Sequence, residues 1–193
     1  MFLISSNAKK LAEFRRFGLD LTLKSGEDLP EISGTPDEVA LYKAKMAGVN
    51  AVVEDTILIV DGSPWIEIKW EQDALKDHVG KPVDWIVTLA HHQGESIALY
   101  RGVVSGVLTC PENLLPDSFG FDPFIIPNGF SMSLDELERQ GRKDEVSARR
   151  RAVEHLLQQQ PYLKVKTESL SEWEGSWQNP PEQLRPAQRK SLK

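Results

Sequence analysis

Residues Ala51 to Val60 read AVVEDTILIV, two apolar runs interrupted by Glu54-Asp55-Thr56. Val and Ile fit a pleated, half-buried surface, so this stretch predicts a pair of strands with a charged break between them. The break needs a physical reason, because carboxylates beside a core are costly unless something compensates them. Two readings stand side by side. One is a polar turn joining the two strands. The other is a set of hard oxygen donors, with Glu31 upstream after Leu29-Pro30, for a Mg²⁺ ion that keeps waters and bridges to phosphates.

Working outward, Phe2 to Ile4 reads as a short buried strand and Ala8 to Phe17 as a helix with Leu11, Phe14 and the stem of Arg15 turned inward. Ser5-Ser6-Asn7 lies at the strand-to-helix junction, where free N–H groups and the helix dipole favour an anion and Lys10 adds a full positive charge. An Asn-capped surface helix with solvated lysines explains the same residues. A second helix starts at Thr35-Pro36-Asp37-Glu38, a capping box with Pro in the first turn, and runs to about Gly48. After the 51–60 stretch, Trp65 to Leu75 reads as a short helix. DWIVTLAHH and ESIALYRGVVSGVL then flank Gln93-Gly94 as a hairpin, giving at least five strand segments.

Between Cys110 and Ser133 the chain turns to Pro, Gly, Asn and aromatic residues, which predicts an ordered loop in which Phe119, Phe121 and Phe124 seek burial. Within it, Phe119-Gly120-Phe121-Asp122 combines flat rings with a carboxylate that can accept hydrogen bonds from a base edge; a buried aromatic loop is the plainer reading. Helices follow from Ser133, where Glu136 completes another capping box, and from Ser147 to Gln160, just before Pro161. Lys143 to Arg151 is strongly cationic. It reads either as a solvated helix face or as a site where Arg149 makes a forked contact to a carbonyl or phosphate oxygen.

The whole chain has 193 residues, 40% of them hydrophobic and 27% charged, with a net charge of -6. That is ordinary globular usage, and an acidic balance argues against a general nucleic-acid binder, although local lysines can still grip one polyphosphate. Cys110, the single cysteine, has no partner for a disulfide or a thiolate zinc site and is expected to be inert and partly buried. The apolar start is too short for a signal peptide and no stretch approaches membrane-spanning length, so a cytoplasmic protein without membrane contact is expected. No internal repeat is present. Residues 1–160 are expected to form the working domain, and 161–193 a polar C-terminal tail open to disorder, in which Trp173 and Trp177 are available to dock.

Taken in order, these segments resemble the inosine triphosphatase (Ham1-like) family. SSNAKKLAEF resembles its TGNxxKxxEF turn, LPEISGTPDEVALYKAK its acidic and helical segment, and VVEDTILIV its metal motif. SFGFDPFIIPNGFSMSLDEL and KDEVSARRRA resemble its base-binding loop and its SHR element. The resemblance covers about residues 1 to 157. It implies an α/β fold, an elongated mixed β-sheet with flanking helices and two lobes around a central nucleotide cleft, usually as a homodimer.

The resemblance also implies roles. Ser5, Ser6, Asn7 and Lys10 would hold the triphosphate, assisted by Lys43, with Lys69 of Ile68-Lys69-Trp70 approaching the substrate. Glu31 and Asp55 would serve Mg²⁺, or Mn²⁺, with Glu54 beside them. Phe119, Gly120, Phe121 and Asp122 would enclose the base, and Lys143, Ser147 and Arg149 would complete the pocket. The implied reaction is attack of water on the α-phosphorus of a nucleoside triphosphate, releasing pyrophosphate. Asp55, Glu54 and Lys10 are the expected catalytic groups.

Two departures bear on this expectation. Ser6 stands where the family has glycine, which narrows the backbone conformations available. Ala148 stands where the family has the histidine of SHR, which belongs to the part of the pocket reading the purine 6-position. A shortened segment at Gly62-Ser63-Pro64-Trp65 also reshapes the approach to Lys69. Three readings follow: hydrolysis of inosine and xanthosine nucleotides in cleansing the nucleotide pool, a pyrophosphatase retuned to another nucleotide, or a binding sensor without turnover.

Overall fold

A computed structural model of the chain describes residues 1–4, 8–24, 29–65, 72–111, 115 and 117–179. In chain order, β1 (Phe2–Leu3), α1 (Ala8–Arg16), β2 (Thr22–Leu23), β3 (Glu31–Ile32) and α2 (Pro36–Ala47) precede β4 (Ala51–Val60) and β5 (Ser63–Trp65). Next come α3 (Gln72–Leu75), β6 (Pro82–His92), β7 (Ser96–Leu108), β8 (Ile125–Pro127), α4 (Leu134–Arg139), α5 (Ala148–Leu157), β9 (Leu163–Lys166) and β10 (Trp177–Asn179). This is the expected mixed α/β fold. The chain divides into two compact units, Met1–Asp55 with Thr88–Arg101 and Ala152–Lys193, and Thr56–Val87 with Gly102–Arg151.

In the first unit β1 lies between β2 and β4 and runs parallel to both, with Phe2 opposite Thr22 on one side and Ala51 on the other. The sheet continues through β6 and β7, which are joined by a short turn in which Gln93 N–H donates to Ser96 O at 2.8 Å. That is the predicted hairpin. β9 adds antiparallel to β7, Leu163 opposite Leu99.

Helix α2 covers this part of the sheet because Ala40, Leu41 and Ala44, at helical spacing, bury against Val53, Ala90, Ile97 and Leu99. Its start is the predicted capping box, with Thr35 and Glu38 exchanging bonds, and Gly48 caps its end at φ 89°. Burying an apolar side chain of this kind contributes about 1.5–3 kcal/mol, so the α2 contact is the main tertiary anchor of the helix.

In the second unit β5 folds back on β4, Ile59 opposite Pro64, through a turn in which Asp61 and Gly62 both have positive φ, the pairing that suits a two-residue hairpin. β8 runs antiparallel to β7, Val107 opposite Ile126. Gly106 permits that approach, since a Cβ there would lie 2.3 Å from Ile126 O. Ser133 and Glu136 form the predicted capping box of α4.

Several expectations change. The 51–60 stretch is one continuous strand, not a strand pair, because its carboxylates are compensated within the protein, as described below. In α1 the inward polar residue is Glu13, while Arg15 is exposed. Trp65 ends a strand and Gln72–Leu75 is helical as expected; residues 66–71 of the expected helix lie outside the described residues. Cys110 is exposed. Within 161–179 the chain forms β9, paired with β7, and β10, paired with β3; alternating Leu163 and Val165 give it apolar residues to pack on the α2 cluster. Among the described residues no helix is long and apolar enough to cross a membrane.

Candidate active site

Successive side chains leave a strand on opposite faces, so Glu54 and Asp55 of β4 point to different helices. Glu54, whose side chain is 2% exposed, receives Lys10 of α1 at 2.9 Å. Asp55 receives Lys43 of α2 at 3.3 Å, and the same ammonium donates to Glu31 of β3 at 2.9 Å. Burial opposes the charge on Lys43, but Asp55 and Glu31 outweigh it and hold the group protonated above the ordinary lysine range. The cost of placing carboxylates beside the core is therefore offset by the lysines paired with them.

Five of the predicted residues, Lys10, Glu31, Lys43, Glu54 and Asp55, are thus brought into two ion-paired groups in the first unit. Glu54 directly precedes Asp55 on β4 but pairs with Lys10, as strand alternation turns the two side chains to opposite faces. Ser5, Ser6, Asn7 and Lys69 lie outside the described residues.

Among the described residues no group of three or more His, Cys, Asp or Glu side chains is arranged to hold a metal. Glu31 and Asp55, converging on one ammonium, supply two hard oxygen donors. That number suits Mg²⁺ when substrate phosphates and water complete the shell.

In the second unit the loop residues and the cationic segment meet. Lys143 donates to Asp122 at 2.6 Å, with side chains 1% and 4% exposed. The Lys143 ammonium lies 5.4 Å from the Phe119 ring centroid and Arg149 lies 5.6 Å from the same ring. Lys143 sits in a single 3₁₀ turn, Lys143–Val146, and Ser147 accepts from Arg150 N–H at 3.2 Å, capping α5. Gly120 takes φ 57° to turn the loop, and Asp122 N–H donates to Phe119 O. Ala148 is fully buried between Ser147 and Arg149. The solvated-face reading holds for the exposed Arg150 and Arg151 but not for Lys143 and Arg149.

Sequence reasoning missed Trp85. Its ring lies 5.7 Å from Lys143 Nζ and 6.1 Å from the Phe121 ring, edge to face. It is 1% exposed, and its indole N–H has no acceptor among the described residues. The only signal was its place in the hairpin strand, which is equally that of a core residue.

A mixed sheet flanked by helices, with two separate clusters of paired charge, sets the class of the molecule: an α/β protein with buried ionic groups beyond what its core requires. The Ham1 family model matches residues 1–159, and the chain belongs to that family. It is 29% identical over 171 residues to an inosine triphosphate pyrophosphatase from Batrachochytrium dendrobatidis (strain JAM81 / FGSC 10211), an alignment covering 78% of this chain and 88% of the relative. Its fold is that of a HAM1 protein from Coxiella burnetii, with TM-score 0.64 and 24% identity over 81% of this chain and 96% of the other. The Ham1 protein from Staphylococcus aureus is similar at TM-score 0.54 and 20% identity, over 82% and 97% respectively.

Proposed function

We propose that this protein is a metal-dependent nucleoside triphosphate pyrophosphatase acting on inosine and xanthosine ribo- or deoxynucleotides. The observation that carries the reading is the convergence of Glu31 and Asp55 on Lys43, with Lys10–Glu54 at the adjoining β4 position. Family membership and the activity named for the Batrachochytrium relative support it.

Lys10 and Lys43 bind phosphate oxygens as compact charges, tolerant of small shifts along the chain of oxygens. Glu31 and Asp55 would hold Mg²⁺ or Mn²⁺, which when bound supplies neutralisation of the triphosphate charge. Asp55 orients the attacking water and takes its proton. The water oxygen bonds to the α-phosphorus, the bridging α–β P–O bond breaks, and pyrophosphate leaves with that electron pair. Phe119 and Phe121 stack on the base, and Asp122, oriented by Lys143, accepts from its N–H edge.

A second reading rests on Ala148. Fully buried beside Ser147 and Arg149, it offers no hydrogen bond at the place where the family has histidine, so the same chemistry serves a different base. One experiment tests both readings: a panel of nucleoside triphosphates with Mg²⁺, with and without chelator, scored for pyrophosphate and monophosphate. Inosine and xanthosine triphosphates leading the panel support the first; another base leading supports the second; no metal-stimulated product from any triphosphate ends both. By the family resemblance we also propose that the protein is a homodimer, which sedimentation at several concentrations checks.

A further inference from the structure

The family match ends at residue 159, yet the chain beyond it is folded onto the two elements that carry Glu31 and Lys43. Strand β10 pairs antiparallel with β3, Trp177 opposite Ile32 and Asn179 opposite Glu31 itself. Just before it, Ser176 O accepts two hydrogen bonds, from Ser33 N–H at 3.0 Å and from the Trp173 indole at 2.8 Å. The Trp173 ring then packs edge-on against Tyr42 at 5.2 Å, and Tyr42 immediately precedes Lys43 on α2. Gly175 makes the tight turn possible, since a Cβ there would fall 2.6 Å from the Trp173 ring. Lys45, two residues beyond Lys43, donates to Leu170 O at 2.8 Å and Ser171 O at 3.1 Å.

These contacts form a closed ring of connections. It runs from α2 through Trp173 to Ser176 O, to Ser33 and β3, to Glu31, and back through the Glu31–Lys43 ion pair to α2. β3 has only two residues in the strand, too few to fix its own position against a helix. We propose that residues 170–179 are a clamp that positions Glu31 against Lys43 and Asp55, and that Trp173 is its central positioning residue. The proposal rests on the reading of Glu31 and Asp55 as metal carboxylates. Groups that orient ligands from behind typically matter by about 10–100-fold in metal affinity.

The test uses the full chain and Mn²⁺ alone, without nucleotide. Mn²⁺ binding is measured by calorimetry, and hydrogen exchange is followed at the Ser33 amide. Trp173→Ala is expected to raise Ser33 exchange and weaken Mn²⁺ binding about tenfold. Trp173→Phe, which keeps the ring against Tyr42 but removes the indole donor, is expected to fall between. Leu163→Ala, which thins the core on β9, lowers the melting temperature and leaves Mn²⁺ affinity unchanged. In turnover, Trp173→Ala raises the Mg²⁺ needed for half-maximal rate while kcat at saturating metal stays within about twofold. Mn²⁺ affinity unaltered in Trp173→Ala, or weakened as much in Leu163→Ala, overturns the clamp. A wild-type chain that neither binds Mn²⁺ nor hydrolyses any triphosphate instead overturns the underlying metal reading, and the clamp with it.

Discussion

Glu54 and Asp55 are neighbours on one strand, yet each is held by a lysine from a different helix, Lys10 of α1 at 2.9 Å and Lys43 of α2 at 3.3 Å. The alternation of β4 divides one acidic dipeptide between two environments. Glu54 is almost sealed from solvent and has Lys10 as a counter-charge, whereas Asp55 shares its lysine with Glu31 and is the more accessible of the two.

The two carboxylates are therefore expected to fail differently when neutralised. Asp55→Asn should lower kcat by about 10²–10³, as removal of one preorganised electrostatic group does, with little change in melting temperature because Lys43 keeps Glu31. Glu54→Gln leaves Lys10 facing a neutral amide in a buried place and should cost about 1–3 kcal/mol of stability. Urea unfolding and steady-state kinetics on both variants check this. Equal losses of kcat with no difference in stability would contradict the division of roles.

The Lys143–Asp122 pair, 1% and 4% exposed, permits a sharper test of stability. Removing one partner of a buried pair leaves an uncompensated charge and typically costs about 3–5 kcal/mol, whereas replacing both by apolar groups is often neutral. Asp122→Leu should therefore be strongly destabilising, and Asp122→Leu with Lys143→Met should recover most of the loss. Denaturant midpoints for the double-mutant cycle measure it. The double variant should also lose discrimination among bases, since Asp122, which reads the base edge, and Lys143, which orients it, are both gone. Retained selectivity would show that the pair is structural only.

What could be read in the sequence follows from how local each signal is. Both capping boxes, at Thr35 and Ser133, and the hairpin about Gln93-Gly94 were legible because caps and turns are fixed by residues a few positions apart. The alpha/beta class and the chain order of the site segments were legible through the family resemblance. The continuity of β4 was not, because it depends on Lys10 and Lys43, which lie far away in sequence on separate helices. Likewise Lys143 reads as one cation in a run of them; only the fold shows that it, and not Arg150, is buried against Asp122. The strands within 161–179 were hidden for a similar reason. The polar composition there is that of a loose tail, and the order comes from pairing with β3 and β7 and from one ring against Tyr42.

Ala148→His tests the altered base pocket. The position is fully buried, so the larger side chain should cost about 1–3 kcal/mol through overpacking. If the missing imidazole is what sets the substrate, the ratio of kcat/KM for inosine triphosphate over adenosine triphosphate should rise at least about tenfold. The nucleotide panel run on wild type and variant side by side checks it. An unchanged ratio in a variant that remains folded would show that selection of the base lies elsewhere, with Trp85 the next residue to alter.

The pH dependence of stability should reveal the two histidines at the end of β6. Burial lowers the affinity of His91 for a proton, with the N-terminal ammonium and His92 adding to the effect, and neither ring nitrogen has a hydrogen-bond partner among the described residues. Burial lowers His92 in the same way, and its Nδ1 accepts from Gly94 N–H at 3.1 Å, a bond that requires that nitrogen to be unprotonated. In the unfolded chain both rings take a proton near pH 6.5, about the ordinary histidine value. As pH falls below that value the unfolded state binds protons before the native state does, so the stabilising contribution, complete at higher pH, is progressively lost. Melting temperature should therefore drop between pH 7.5 and 5. His91→Leu, which removes one of the two groups, should flatten that drop. A pH profile of the variant parallel to wild type would mean that His91 already binds its proton in the native state and that burial does not keep it neutral.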